Sequence, residues 1–484
     1  MTIEGKNLLF AAQMGVDKNV FHWPTVVLEL SATNAQRPEA TAAFLMAANL
    51  LARLFPKLHF LAPDAPIGPN AWMLTSLREL GSVLPILPNG HVHWDCPASV
   101  DIAVGVGSTP TVSAKYSTFF DFSGWNASLE RVLEPAGVGD LGALFGACYG
   151  AAQCFIYAAR GVGSQLQPIR PFQLSLLDYD SVGANAPIPP VVDLGTTHLV
   201  GVGAVGSAAL WTLLQLPRLT GHLVPVDSDF IDDSNLQRYV AVRRSNVGAA
   251  KADVCGRLLR ERGLSVNPHV VSFKHYANEH QSSIDLMLTP VDSEAGRRAL
   301  AAYLPRKVLN AATGGSTVTV SAHGFADGRG CLQWLYLPPL GEHTLESRLA
   351  QDLGLSLAEV LRHFEQNIPA STKIIRRIEA HRHLAPGFLT HRIGAHLQSL
   401  YPDAVCSSAS VPTAAGTAVA PLAFISAAAG IVLAAEWIKL RTPALQRFCL
   451  DNYFRFDLFG APNPSVRRRT QPDTSGRCIC RDSM

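Results

Sequence analysis

The residues with the clearest chemical meaning lie between positions 201 and 251. Gly201-Val-Gly203-Ala-Val-Gly206-Ser207 has G-x-G-x-x-G spacing. Placed between a strand and a helix, such a turn aims backbone N–H groups and a helix N-terminus at one spot, which favours phosphate. Glycine is needed because a Cβ would block the close approach of backbone to ligand. Alone, the motif is shared with dinucleotide-dependent dehydrogenases. Asp227 ends the next strand, 21 residues after Gly206, where a carboxylate can accept from ribose hydroxyls. That still does not separate NAD from ATP. The run 227–239, Asp-Ser-Asp-Phe-Ile-Asp-Asp-Ser-Asn-Leu-Gln-Arg-Tyr, followed by Lys251 in Gly-Ala-Ala-Lys-Ala, does. Asn235, Arg238 and Lys251 would converge on a polyphosphate and neutralise the charge that develops as pyrophosphate leaves. A hydride-transfer enzyme has no use for this set, so a nicotinamide-dependent dehydrogenase is disfavoured.

These residues need a strand–turn–helix frame, and the chain supplies it twice. In the second half, 198–201, 223–226, 284–289 and 306–311 read as strands, with helices at 208–216 and 251–261. The first half reads strand 25–30, helix 40–54, strand 58–61, helix 70–84 and strand 101–106. Such alternation predicts a mostly parallel sheet with helices on both faces. The Pro-rich linker Ala186-Pro-Ile-Pro-Pro190 separates the halves. Both halves also end alike. A small-residue helix, 141–160, leads to strand 173–179 with its Asp-Tyr-Asp, and helix 421–439 leads to strand 452–458 with its Phe-Asp-Leu. We read this as an internal repeat of two α/β domains. The stretch 341–404 breaks the sheet pattern and reads as helical, with apolar residues at three-to-four spacing in 353–364 and 387–400. The first half lacks a glycine turn, since Leu30 is followed by Ser-Ala-Thr-Asn-Ala-Gln-Arg-Pro, and it lacks the Asn-x-x-Arg and Lys set.

The pattern G-x-G-x-x-G, D-x-D-x(5)-N-L-x-R, G-x-x-K-A over about 190–460 resembles the ThiF/MoeB-type adenylating enzymes, which include the ubiquitin-activating enzymes. The resemblance implies two Rossmann-like adenylation-type domains: an inactive one at 1–185 and an active ATP-binding one at 191–340 and 405–462. A helical catalytic-cysteine insertion would fill 341–404, and a basic, Cys-containing tail 463–484. It implies that Asp227 holds the ribose and that Asn235, Arg238 and Lys251 hold ATP phosphates. In Thr289-Pro-Val-Asp292-Ser-Glu-Ala-Gly-Arg297, Asp292 takes the position that helps bind Mg²⁺, an ion usually held by one or two carboxylates plus the nucleotide. Ala204 and Ser293 depart from the family's usual Gly and Asn.

Ubiquitin-activating members carry a cysteine after an inserted helical region. Here Asp403-Ala-Val-Cys406-Ser-Ser-Ala-Ser-Val-Pro412 follows one, and Cys406 is the candidate nucleophile for a thioester. The implied partners are a ubiquitin-like protein with a C-terminal glycine and a conjugating enzyme. The stretch after Leu458 is too short for a ubiquitin-fold domain, which resembles the activating component of bacterial ubiquitin-like conjugation systems tied to antiphage defence. Two alternatives remain: a sulfur-carrier or peptide adenylyltransferase without a thioester step, and a non-catalytic nucleotide-binding scaffold. Sulfur-carrier activators often hold zinc with two C-x-x-C pairs. The chain reads Cys331-Leu-Gln-Trp334 and Cys478-Ile-Cys480 at these places, so a complete structural zinc site is not expected.

Bulk properties agree. The chain has 484 residues, of which 48% are hydrophobic and 16% charged, with a formal net charge of +2. A large core is easy to build, and neither nucleic acid nor an anionic membrane is an expected partner. Nine scattered cysteines and no signal-peptide pattern fit a reducing cytoplasm. The uncharged runs 141–159 and 409–435 are rich in Ala and Gly, and we expect buried helices there rather than membrane spans.

Overall fold

The structure is a computed structural model. It describes residues 23–84, 90–135, 139–162, 164–181, 183–280, 284–292, 294–324, 327–336, 345–365, 368–382, 384, 386–397, 399–400, 422–463, 467–472 and 478. Its described residues form two compact units: one within 345–400, and a larger one from 23–336 with 422–478.

The larger unit contains two sheets. The first is built from β1 (Val26–Glu29), β2 (Lys57–Leu61), β3 (His91–His93), β4 (Ile102–Val106), β5 (Tyr116–Ser123), β6 (Asn126–Leu129) and β7 (Phe172–Ser175), in the order β3-β2-β1-β4-β5-β6-β7. The second is built from β8 (Val192–Val200), β9 (Leu219–Val226), β10 (Ser265–Val266), β11 (Leu286–Thr289), β12 (Lys307–Gly314), β13 (Thr317–Gly324), β14 (Tyr453–Asp457) and β15 (Arg467–Arg468). Its order is β10-β9-β8-β11-β12-β13-β14-β15. Each sheet is parallel through its first five positions and turns antiparallel at β5–β6 and β12–β13. With β15 set aside, the orders are the same, so the repeat legible in the sequence is a repeat of topology.

Each half carries one long apolar helix between its sixth and seventh strands, Leu141–Gly161 and Ala423–Arg441. Both are long and apolar enough to cross a membrane, yet their apolar windows are 100% and 94% buried inside the body. Their small residues permit close packing. A Cβ on Gly430 would lie 2.5 Å from both the Ala208 Cβ and the Val205 carbonyl oxygen, so the helix Ala204–Leu214 sits directly against it. A Cβ on Gly150 would lie 2.6 Å from the Phe120 ring.

Cross-half polar contacts fasten the two sheets. The Tyr149 hydroxyl donates to the Asp457 carbonyl at 3.1 Å. Tyr179 has φ +59 and closes a turn, so the expected strand 173–179 ends at Ser175. Its ring stacks on Phe454 at 4.5 Å and its hydroxyl donates to Glu436 Oε1 at 2.5 Å. Glu436 and Lys439, both fully buried, form an ion pair. Lys439 Nζ also donates to the Leu176, Leu177 and Phe448 carbonyls at 2.9–3.1 Å. A buried pair of this kind is tolerable because the remaining donors and acceptors are satisfied.

Three expectations need correction. The helix expected at 70–84 is confined to Leu77–Val83. Asn70 uses its side chain to accept from the Trp72 and Leu74 amides and donates to the Leu74 carbonyl, offering the backbone a turn in place of a helix. In the smaller unit, the helix expected at 353–364 is split at Gly354, φ +66, into Leu345–Leu353 and Leu357–Glu365. The one expected at 387–400 is broken by Gly387 and Gly394, at φ +85 and +90. A helix at Thr372–His381 completes that unit, with Leu349, Val360, Ile375, Ile378 and Leu400 in its core.

Candidate active site

The glycine turn leaves the end of β8. Gly201 adopts φ +93, and its amide donates to the Val226 carbonyl at 3.0 Å, closing the turn against β9. A Cβ on Gly206 would stand 2.6 Å from the Gly201 carbonyl oxygen, so the helix Ala204–Leu214 starts with no room for a side chain there. Gly203 is the cap residue of that helix, and the Tyr239 hydroxyl lies 3.6 Å from its would-be Cβ.

Asp227 follows β9 and braces the turn. One carboxylate oxygen accepts from the Val202 amide at 2.6 Å and the other from the Asp229 amide at 2.9 Å. Burial raises its pKa against the opposing pull of those two amides and of Lys251. Asp229 in turn fixes Lys251 twice. Its carbonyl accepts from the Lys251 amide at 3.0 Å, and its carboxylate pairs with Nζ at 2.7 Å. Burial alone would lower the Lys251 ammonium, but Asp229, Tyr239 and Asp227 turn the net shift upward, so it stays charged. Lys251 is also the first residue of the helix Lys251–Arg260, which puts its charge at a helix N-terminus.

Asn235 and Arg238 lie on a 3₁₀ turn, Asp233–Gln237, and its cap. The Asn235 side-chain oxygen accepts from the Asp232 amide at 3.2 Å while Asp232 caps Ser234 at 2.6 Å, an arrangement that sets the turn. Tyr239 lies between the two cations: the Arg238 guanidinium is 5.7 Å and Lys251 Nζ 5.5 Å from its ring centre. Arg238 Nη1 is buried and has no hydrogen-bond partner among the described residues. A buried donor left unmade is costly, and a phosphate oxygen is the group that would complete it.

Asp292 lies in the loop after β11 and is exposed. Its loop abuts the glycine turn, since Val291 Cγ1 is 3.1 Å from where a Gly201 Cβ would be. Arg297 is buried, donates to the Val291 carbonyl and to Asn310 Oδ1, and so holds this loop. Thus Gly201, Gly203, Gly206, Asp227, Asn235, Arg238, Lys251 and the Asp292 loop share the end of one sheet where β8, β9 and β11 release their chains. Cys406 lies outside the described residues. So does Cys480, while Cys331 and Cys478 are buried with their sulfurs 3.1 Å apart. Among the described residues, no group of three or more His, Cys, Asp or Glu side chains could hold a metal ion.

The sequence reading missed the inner supports of this site: Asp229 as the Lys251 partner, Tyr239 between the cations, and Arg297 behind the Asp292 loop. Asp229 was visible in the D-x-D spacing as a second acid two residues on.

Comparisons with known proteins place this geometry. The family model described as the BilD C-terminal domain matches residues 195–326. The uncharacterized protein y4jF of Sinorhizobium fredii (strain NBRC 101917 / NGR234) is 32% identical over 461 residues, 92% of this chain and 86% of that protein. The NEDD8-activating enzyme E1 catalytic subunits of Drosophila melanogaster and Caenorhabditis elegans are 29% and 30% identical over 102 and 125 residues. Those stretches are 21% and 25% of this chain, and the match spans only 22% and 29% of the subunits themselves. Among solved structures, E. coli MccB with MccA-N7isoASN is similar at TM-score 0.35 and 13% identity, over 58% of this chain and 65% of that one.

Proposed function

The chain belongs to the family of the Sinorhizobium fredii protein y4jF, and from the site just described we propose that it activates the C-terminal glycine of a ubiquitin-like protein with ATP. The single observation that carries this is the buried Nη1 of Arg238, which has no hydrogen-bond partner among the described residues; its guanidinium and Lys251 share the Tyr239 ring, whose hydroxyl reaches a glycine turn with no room for a Cβ at Gly206. Two cations and a row of backbone N–H groups suit a triphosphate. The amides at Gly203 and Gly206 would cradle phosphate where Gly201 lets the backbone turn, and Asn235, Arg238 and Lys251 would hold the leaving pyrophosphate. Asp227 would meet the ribose. Asp292, an exposed carboxylate beside the turn, would hold Mg²⁺, whose chemistry is to neutralise phosphate charge.

In the proposed reaction the partner's terminal carboxylate oxygen attacks the α-phosphorus. The bond from that phosphorus to the bridging oxygen breaks, giving acyl-adenylate and pyrophosphate. The Cys406 thiolate then attacks the acyl carbon, AMP leaves, and the thioester passes to a conjugating enzyme's thiol. The resemblance to the activating component of bacterial ubiquitin-like conjugation systems supports antiphage defence as the setting of this activity, as part of the same reading.

ATP–pyrophosphate exchange in the presence of the ubiquitin-like protein tests the first step. Exchange should be lost in Asp292→Ala and kept in Cys406→Ala, which should lose only a thiol-reducible adduct. Exchange without any reducible adduct in the unmodified protein would instead favour adenylation with no thioester step.

A further inference from the structure

The first half lacks the glycine turn and the Asn-x-x-Arg and Lys set, yet it touches the segment that carries Arg238. On the helix Pro38–Ala52 and its cap, Asn49 and Arg53 are both fully buried. A buried arginine is costly unless its donors are used. Arg53 Nε donates to Asn49 Oδ1 at 2.9 Å, which fixes the two side chains as a unit. That unit then reaches across the halves. Arg53 Nη1 donates to the Leu236 carbonyl, Arg53 Nη2 to the Val242 carbonyl at 3.5 Å, and Asn49 Nδ2 to the Val240 carbonyl at 3.0 Å.

The three carbonyls bracket Arg238 and Tyr239. After the 3₁₀ turn Asp233–Gln237 the chain enters neither helix nor strand until Lys251, apart from one short 3₁₀ turn, so the carbonyls of 240–242 have no ladder to join. From the other side the Ala241 amide donates to Ser207 Oγ at 3.0 Å, on the helix that follows the glycine turn. Trp72, also from the first half, meets Trp211 of that helix edge-on at 5.0 Å. The Arg238 segment is therefore strung between the glycine-turn helix and the first half. Burial lowers the Arg53 guanidinium to about 9, which still leaves it charged at neutral pH, and its donors keep their charge-assisted strength.

We propose that Asn49 and Arg53 are positioning residues for Arg238: the first half serves the ATP site by fixing the backbone that aims this guanidinium, without itself touching the nucleotide through these residues. This rests on the reading of Arg238 as a phosphate ligand, and the test separates the two.

The measurement is the affinity of the full chain for a non-hydrolysable ATP analogue, by calorimetry, in Arg238→Ala, Arg53→Lys, Asn49→Leu and the double variants Arg53→Lys/Arg238→Ala and Asn49→Leu/Arg238→Ala. Far-ultraviolet dichroism checks that each is folded. Removing charged or amide hydrogen bonds to these carbonyls should weaken analogue binding by about tenfold in Arg53→Lys and about fivefold in Asn49→Leu. In the Arg238→Ala background the same changes should have less than about a twofold effect, because a residue acting through Arg238 has nothing left to position. A merely structural role would give the same loss in both backgrounds, and that overturns the proposal. Folded Arg53→Lys and Asn49→Leu proteins that bind like the unmodified chain also overturn it. If Arg238→Ala itself binds the analogue normally, the failure lies in the nucleotide-site reading. Asn49→Leu keeps the test decisive should Arg53→Lys not fold.

Discussion

The two halves share a strand order but finish their first strands differently, and that difference separates the proposed nucleotide site from a support. After β8 the chain offers bare glycine backbone, and the loop after β11 packs directly against it through Val291. After β1, at the equivalent place, the first half fills the gap with a side chain. Asn34 Nδ2 donates to the Val106 carbonyl at 3.0 Å and to Ser108 Oγ at 3.2 Å, bridging the ends of β1 and β4. Gly107, at φ +75, is glycine because a Cβ there would lie 2.9 Å from that amide. The nearby cation is also spent internally, since Arg37 pairs with Glu39, donates to the Phe122 carbonyl at 3.1 Å and stacks on Phe122. One crevice is plugged by its own polar groups, whereas the other leaves Arg238 Nη1 wanting a partner. A shared fold thus fixes where a ligand could bind, and side chains decide whether one can.

The largest expected effect comes from the long helices, where the halves differ in charge. In the first, Gln153 Oε1 accepts from the Ile169 amide at 2.9 Å. In the second, Glu436 Oε2 accepts from the Leu450 amide at 2.8 Å in the same manner, but Glu436 also carries Lys439. Glu436→Gln makes the second helix resemble the first while leaving Lys439 buried without its carboxylate. We expect a loss of about 3–5 kcal/mol, read as a lowered denaturant midpoint. Gln153→Leu should cost only about 1–3 kcal/mol, the penalty of one unpaired buried amide. Equal losses would break the contrast.

At the nucleotide site, Arg238→Ala should lower ATP–pyrophosphate exchange by about a hundredfold, on the scale of losing a group that stabilises developing phosphate charge. Arg37→Ala, at the cation beside the plugged crevice, should leave exchange within about twofold. A comparable drop in both would mean that the first half's crevice also holds nucleotide. Gly206→Ala sharpens the same point. Its Cβ would press on the Gly201 carbonyl, so the turn must shift and ATP affinity should fall by about tenfold or more.

The repeat and the turn were readable because both are local. Apolar strands, a glycine spacing and the N-L-Q-R run each declare themselves within a dozen residues. The supports were not readable, because they come from pairings far apart in sequence. Asn49 and Arg53 look like polar residues at the end of an apolar helix, and nothing in 38–53 says that their partners are carbonyls at 236–242. The turn at 70–76 hid for another reason: its apolar spacing mimics a helix, while one asparagine side chain captures the amides a helix would need. In the insertion, single glycines at 354, 387 and 394 stop helices that periodicity alone would continue.

A last expected effect is one of pH, and it too divides the halves. The described histidines of the first sheet are half-buried or exposed: His91 and His93 on the edge strand β3, and His59 on its neighbour β2. In the second half, burial lowers His323 to about 4, and burial together with His222, His269 and His280 lowers His198 to about 4. His323 Nδ1 donates to the Gly330 carbonyl at 2.9 Å, and His198 meets the Tyr276 hydroxyl at 2.9 Å. A folded-state value below the unfolded one means the unfolded chain binds protons first. Stability is therefore whole above about pH 6.5 and is lost as pH falls from 6.5 toward 4, on the order of 3 kcal/mol per residue at the acid end. Hydrogen exchange at pH 7 and pH 5 should show protection falling first in β8 and β11–β13, with β1 and β4 holding. His323→Gln should flatten the slope while keeping a group able to reach the Gly330 carbonyl. If both sheets loosen together, the acid sensitivity does not come from the buried histidines of the second sheet.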